Sequence, residues 1–155
     1  MRFQPDENNG GMMFEHADGN PVLELDDEQS WRLLAATQHG RLVVSVAGEP
    51  DIFPVNYVTS NRKVYLRTAP GNKLAQLTIN ARVLFETDGI LSAEAWSVVL
   101  RGTARVLSNS DELAAIEELG LKTWVPTLKD FYVEITPSSV SGRHFVFGEQ
   151  PEREI

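Results

Sequence analysis

The segment RTAPGNKL, residues 67 to 74, sets Arg67, Thr68, Asn72 and Lys73 around a Pro70-Gly71 turn. The residues before it read as a strand end and those after it as the first turn of a helix. A strand end, a tight turn and a helix N-terminus leave backbone N–H groups without intrahelical partners, and such an arrangement binds phosphate. Charged and neutral donors on these four side chains would add to it. A lysine in a first helical turn faces the positive end of the backbone dipole, at a cost of a few tenths of a kcal/mol; a bound anion would reverse that. The segment also reads as a plain strand-to-helix connection whose basic residues are solvated or paired with carboxylates.

Two other stretches carry similar interest. In DIFPVNYV, Pro54 sits inside an otherwise strand-like run and removes a ladder donor, so the strand is locally an edge or a bulge there. Backbone groups of Phe53, Val55 and Asn56 beside it suit a flat heteroaromatic ring with alternating donors and acceptors. Pro54 also reads as an edge marker alone, and Tyr57 as half-buried packing. In EAWSVVLRGTARV, Ser97, Arg101, Thr103 and Arg105 share one face, Trp96, Val98, Leu100 and Ala104 the other, and Gly102 allows close backbone approach.

These segments need a frame to hold them. LELDDEQSWRLLAATQHGR predicts a helix capped by Asp26, with Gln29 completing a capping box, Trp31, Leu33 and Leu34 as its buried stripe and Gly40 as its stop. RLVVSVAGEPDIFPVNYV predicts two strands joined at Gly48-Glu49-Pro50, and Ser60-Asn61-Arg62 turns into a third with Val64, Leu66 and Thr68 on one face. A short helix starts near Gly71; ARVLFETDG predicts a fourth strand ended by an Asp-Gly turn, and the run from Glu94 a long fifth. Asn109 is placed to cap a further helix, with Glu112 completing its box and Gly120 ending it; the last strand material is broken at Pro137. Antiparallel stretches with helices between them predict an α+β fold, a small antiparallel barrel with flanking helices. Residues 1–22 read as a flexible N-terminal arm, 23–147 as the folded domain and 148–155 as a C-terminal tail.

With 155 residues, 42% of them apolar and 23% charged, the chain suits one soluble globular domain. No apolar run approaches the ~18 residues of a membrane span, and the net charge of -8 argues against a nucleic-acid surface. No cysteine is present, which excludes disulfides, thiolate nucleophiles and zinc-thiolate sites. The N-terminus lacks a secretory apolar stretch, so the expected location is cytoplasmic. No G-x-S-x-G, H-E-x-x-H or complete phosphate-loop motif occurs. His16, His39 and His144 are far apart in sequence, and Glu86 and Asp88 read as solvated or arginine-paired.

The order P-V-N-Y, R-T-x-x-G-x-K-L, W-S-V-x-x-x-G-x-A resembles the pyridoxamine 5'-phosphate oxidase-like family of FMN-binding split β-barrels, over roughly residues 25 to 146. The resemblance implies a homodimer with a flavin in each cleft between subunits and a small-molecule substrate. It implies that Pro54, Val55, Asn56 and Tyr57 run along the isoalloxazine ring, that Arg67, Thr68, Asn72 and Lys73 take the phosphate, and that Ser97 reaches the flavin's edge with Trp96 beside it. The anion of the opening segment would then be the FMN phosphate. Related members use a deazaflavin or haem. The oxidase proper holds its vitamin B6 substrate with further basic residues near its C-terminus, where SGRHF offers only Arg143 and His144. Both an FMN-dependent oxidoreductase and a non-catalytic flavin or deazaflavin carrier fit the resemblance, and no catalytic residue is assigned.

Overall fold

The computed structural model describes residues 12–121 and 131–153. Its elements are β1 (Val22–Leu25), α1 (Asp27–Ala36), β2 (His39–Val46), β3 (Glu49–Ser60), β4 (Lys63–Thr68), α2 (Asn72–Ile79), β5 (Arg82–Ile90), β6 (Glu94–Val106), α3 (Ser110–Glu117) and β7 (Phe131–Val146). The strands form one antiparallel sheet in the order β1-β7-β4-β3-β2-β5-β6, and β6 pairs back onto β7. Six strands therefore close a ring, with β1 added along the end of β7 at Val22↔Phe145 to Leu25↔Gly142. This is the expected α+β barrel. It is split where β3 changes partners, pairing with β2 from Glu49 to Asn56 and with β4 from Tyr57 to Ser60.

The alternation of side chains explains what fills the ring. Leu42 and Val44, Val64 and Leu66, Val83 and Phe85, Val98 and Leu100, and Val133 and Ile135 point inward from five strands and are buried. Leu33 and Leu34 of α1 cover one side of this core. A smaller cluster of Tyr65, Leu107, Ile116 and Tyr132 lies beneath α3.

Local chemistry sets the boundaries, and several differ from those the sequence suggests. The Asp26–Gln29 capping box forms at 2.8 and 2.9 Å, but α1 stops at Thr37, and Gly40 lies within β2. A Cβ at Gly40 would come within 2.6 Å of the Glu86 carbonyl oxygen and of Phe85 Cζ, so the glycine serves close strand packing instead. The first hairpin turns at Ala47-Gly48, both with positive φ (51° and 80°), and Pro50 is already in β3. Asp88-Gly89 is strand, because Gly89 accommodates the Trp96 indole of the neighbouring strand. Pro137 does not end β7: the register slips between Arg101 and Gly102, and this bulge absorbs the proline. Asn109 caps α3, but Glu112 turns away from the cap to bind Arg105 at 2.8 Å.

β1 is a strand that the sequence patterns did not mark. Of the expected arm, residues 1–11 lie outside the described residues, whereas Met13 and Phe14 pack against the core. Among the described residues no helix is long and apolar enough to cross a membrane.

Candidate functional site

The turn after β4 differs from the other helix entries. α1 and α3 each start with a side-chain cap and two acidic residues, Asp27 and Glu28 or Asp111 and Glu112. α2 starts at Gly71 with no side-chain cap, and its first turn carries no acidic residue; it carries Asn72 and Lys73. The helix dipole and the lysine charge add here instead of cancelling, which favours an anion at this end. Gln76 of α2 donates to Asp51 of β3 at 2.8 Å, and Asn80 donates to the Ser45 carbonyl oxygen at 2.7 Å. Leu77 is buried in the core. The helix is thus fixed to β2 and β3 from its later turns, which leaves its first turn at the surface.

Lys73 Nζ lies 5.6 Å from the centroid of the Phe53 ring. The Arg67 guanidinium lies 5.1 Å from that of Tyr132. Both contacts set a cation over an aromatic face. The structure therefore gathers the 67–73 turn and the 53–56 edge of β3 on one side of the barrel. Pro54 is exposed and Asn56 half-buried, on the part of β3 that ladders with β2 alone among the described residues.

The remaining expected residues differ in exposure. Val55, Tyr57, Thr68 and Trp96 have buried side chains. The Tyr57 hydroxyl donates to the Leu34 carbonyl oxygen at 2.6 Å and meets the Thr37 hydroxyl at 2.6 Å, and its ring stands edge-on to Phe85. Burial pushes the Tyr57 phenol up to about 12. Thr68 donates to the Ala69 carbonyl oxygen at 3.2 Å. Trp96 packs inside the barrel, beneath the strand face that carries Ser97. Ser97 opens outward onto a cleft of about 380 Å³ with Val99, Arg101, Ser139, Ser141 and Arg143. In the ring, β3 and β6 stand opposite each other with two strands between them either way round. Asn56 and Ser97 are thus on opposite walls of one chain.

Arg41 binds Glu86 at 2.8 Å and Asp88 at 3.1 Å, as the arginine-paired reading of those carboxylates expects. The two carboxylates also hold the Arg41 guanidinium above its ordinary range. The described residues contain no group of three His, Asp or Glu side chains able to hold a metal. One cluster escaped the sequence reading: His16 Nε2 lies 2.5 Å from His144 Nδ1, and His144 Nε2 lies 2.9 Å from Glu94 Oε1. Its members are too far apart in sequence to form a motif. The only signal was a histidine at an inward-facing position of β7.

Comparison with known proteins agrees with the fold. A family model described as pyridoxamine 5'-phosphate oxidase matches residues 26–144. A candidate pyridoxamine 5'-phosphate oxidase of Corynebacterium glutamicum is 44% identical, with a TM-score of 0.78 over 84% of this chain and 98% of that one. A protein of Mycobacterium smegmatis described as FAD-binding is 38% identical, with a TM-score of 0.70 over 80% of this chain and 98% of that one. An uncharacterised protein of Mycobacterium tuberculosis is 33% identical over 135 residues, 81% of this chain and 86% of its own length.

Proposed function

The chain belongs to the pyridoxamine 5'-phosphate oxidase family, and from that premise we propose that it binds FMN in a cleft shared by two copies and acts as a flavin-dependent oxidoreductase on a small substrate. The observation that carries the proposal is the α2 entry, an uncapped helix end with a lysine where the other two helices place carboxylates. That donor set fits a phosphate monoester: N–H groups of the first turn, the Asn72 amide, and the cations of Lys73 and Arg67. The exposed edge of β3 from Pro54 to Asn56 supplies main-chain groups for the ring system, while Val55 and Tyr57 hold that edge in place from inside the barrel.

Ser97 is on the opposite wall, so a ligand touching both Asn56 and Ser97 takes one from each of two chains. Ile52 on β3 next to Phe53 and Ile79 at the far end of α2, 62% and 70% exposed, favour covering by a second copy. When bound, the flavin supplies hydride and electron transfer. The residues of this chain would bind the phosphate and orient the ring.

The M. smegmatis relative described as FAD-binding favours a second reading, in which the chain holds a flavin or deazaflavin without turnover. An absorption spectrum of the purified protein before and after adding FMN, with the mass of any chromophore released on denaturation, separates FMN from FAD and deazaflavin. Turnover with NAD(P)H and an acceptor supports the oxidoreductase; tight binding without turnover supports the carrier. A colourless protein that ignores added FMN would end both readings.

A further inference from the structure

His144 is fully buried, at 0% exposure, and Glu94, the first residue of β6, is 6% exposed at the end of the barrel. Each hydrogen bond around them restricts where protons can be. The Asn20 carbonyl oxygen, 2.6 Å from His16 Nδ1, only accepts, so His16 Nδ1 carries a proton. Glu94 Oε1 accepts from the Met13 N–H at 2.9 Å and lies 2.9 Å from His144 Nε2; with Glu94 as a carboxylate it accepts there too, and His144 Nε2 carries a proton. The two remaining ring nitrogens, His16 Nε2 and His144 Nδ1, face each other at 2.5 Å. If both rings were neutral, two lone pairs would meet across that gap. A cation must sit between them. A metal ion needs about 2.0–2.1 Å to each nitrogen, and at tetrahedral angles this sets the nitrogens about 3.3 Å apart. The gap admits a proton and no metal.

We propose that His16 and His144 share one proton beyond those of two neutral imidazoles, balanced by the Glu94 carboxylate, and that this proton holds the segment of residues 12–20 on the end of the barrel. The segment docks through these groups and through Phe14, which is buried and edge-on to His144 at 5.3 Å. From β1, Leu23 is the residue opposite His144, and from β6 it is Trp96. From these strands Glu94 is the charged group packed against the pair, and Glu15 beside His16 is exposed. Losing the shared proton sets lone pair against lone pair. Gaining another sets N–H against N–H. Docking is thus linked to the number of protons that the pair holds. The linkage does not depend on whether the chain binds a flavin.

The test is nitrogen NMR of the full chain with labelled histidine, near pH ~7 where imidazoles exchange protons. Three of the four ring nitrogens of His16 and His144 are expected to bear protons. As pH is raised, the amide signals of residues 12–20 shift together with loss of the third proton. In His16→Gln, a side-chain N–H faces His144 Nδ1 at every pH, and the segment signals are expected to stay at their docked positions throughout. Two proton-bearing ring nitrogens with the segment docked, or segment signals unmoved across the wild-type titration, would overturn the proposal. The wild-type count stands even if the variant fails to fold.

Discussion

Lys73 Nζ stands 5.6 Å from the centre of the Phe53 ring, so the first turn of α2 and the open edge of β3 meet at one place. These segments lie some twenty residues apart in sequence, and the sequence marks each for a different reason. Their meeting makes one surface with cationic and main-chain donors side by side.

Lys73→Ala should therefore weaken FMN binding by about 1.5 to 3 kcal/mol, the usual worth of a hydrogen bond to a charged group. Stability without ligand should fall far less, because a cation over an aromatic ring at such a site contributes about 0.5–1 kcal/mol. A flavin titration beside a thermal melt reads both. Unchanged affinity would remove Lys73 from the site.

Gly89→Ala should destabilise the fold by about 1–3 kcal/mol through overpacking. A Cβ there would lie 2.4 Å from Trp96 Nε1 and 2.7 Å from Cε2, and the indole is enclosed by the barrel. The denaturant midpoint should fall and tryptophan emission should change. An unchanged midpoint would mean that the indole can swing aside without cost.

Asp26→Ala should cost about 0.5–2 kcal/mol, since it removes the side-chain oxygen that accepts from the Gln29 N–H in the capping box. Glu112→Ala should leave the α3 cap intact, because Asn109 accepts from the Asp111 N–H at 2.8 Å without it. Urea midpoints of the two variants would show the contrast. A larger loss for Glu112→Ala would mean that its link to Arg105 holds α3 more firmly than the cap does.

The legible parts of the sequence were those where neighbours in the chain decide the outcome. The Asp26 cap, the Asn61-Arg62 turn and the alternation along β6 are of this kind. Gly40, Gly89 and Pro137 misled because their reasons lie across the sheet, in Phe85, Trp96 and a bulge at Arg101/Gly102. A glycine read along the chain looks like a stop or a turn, but it also lets a neighbouring strand's ring come close. The candidate site shows the same limit: its residue types were visible, but Tyr57 and Trp96 face inward and Ser97 lies on the far wall. The His16–His144 pair spans the whole described domain and left no pattern in the sequence.

The Tyr57 phenol gives a test in alkali whose sign follows from burial. Desolvation raises its folded value to about 12, against a partial opposing effect of its Thr37 and Thr87 neighbours. An exposed tyrosine in the unfolded chain ionises near pH ~10. The unfolded state therefore loses this proton first. The stability tied to the neutral phenol is fully present below pH ~10 and is lost as pH rises through about 12. Two pH units correspond to about 2 to 3 kcal/mol. Tyr65, also pushed up to about 12 by burial, adds a parallel loss, so only a comparison isolates Tyr57. Tyr57→Phe keeps the ring against Phe85 but leaves the Leu34 carbonyl oxygen without its donor, so at pH 8 it should be less stable by about 1–3 kcal/mol. Having no phenol to ionise, it should then lose less than the wild type, and the two urea stabilities should converge by pH 12. Parallel curves over that range would mean that Tyr57 ionises as readily in the folded barrel as in the open chain, and that its burial does not control its titration.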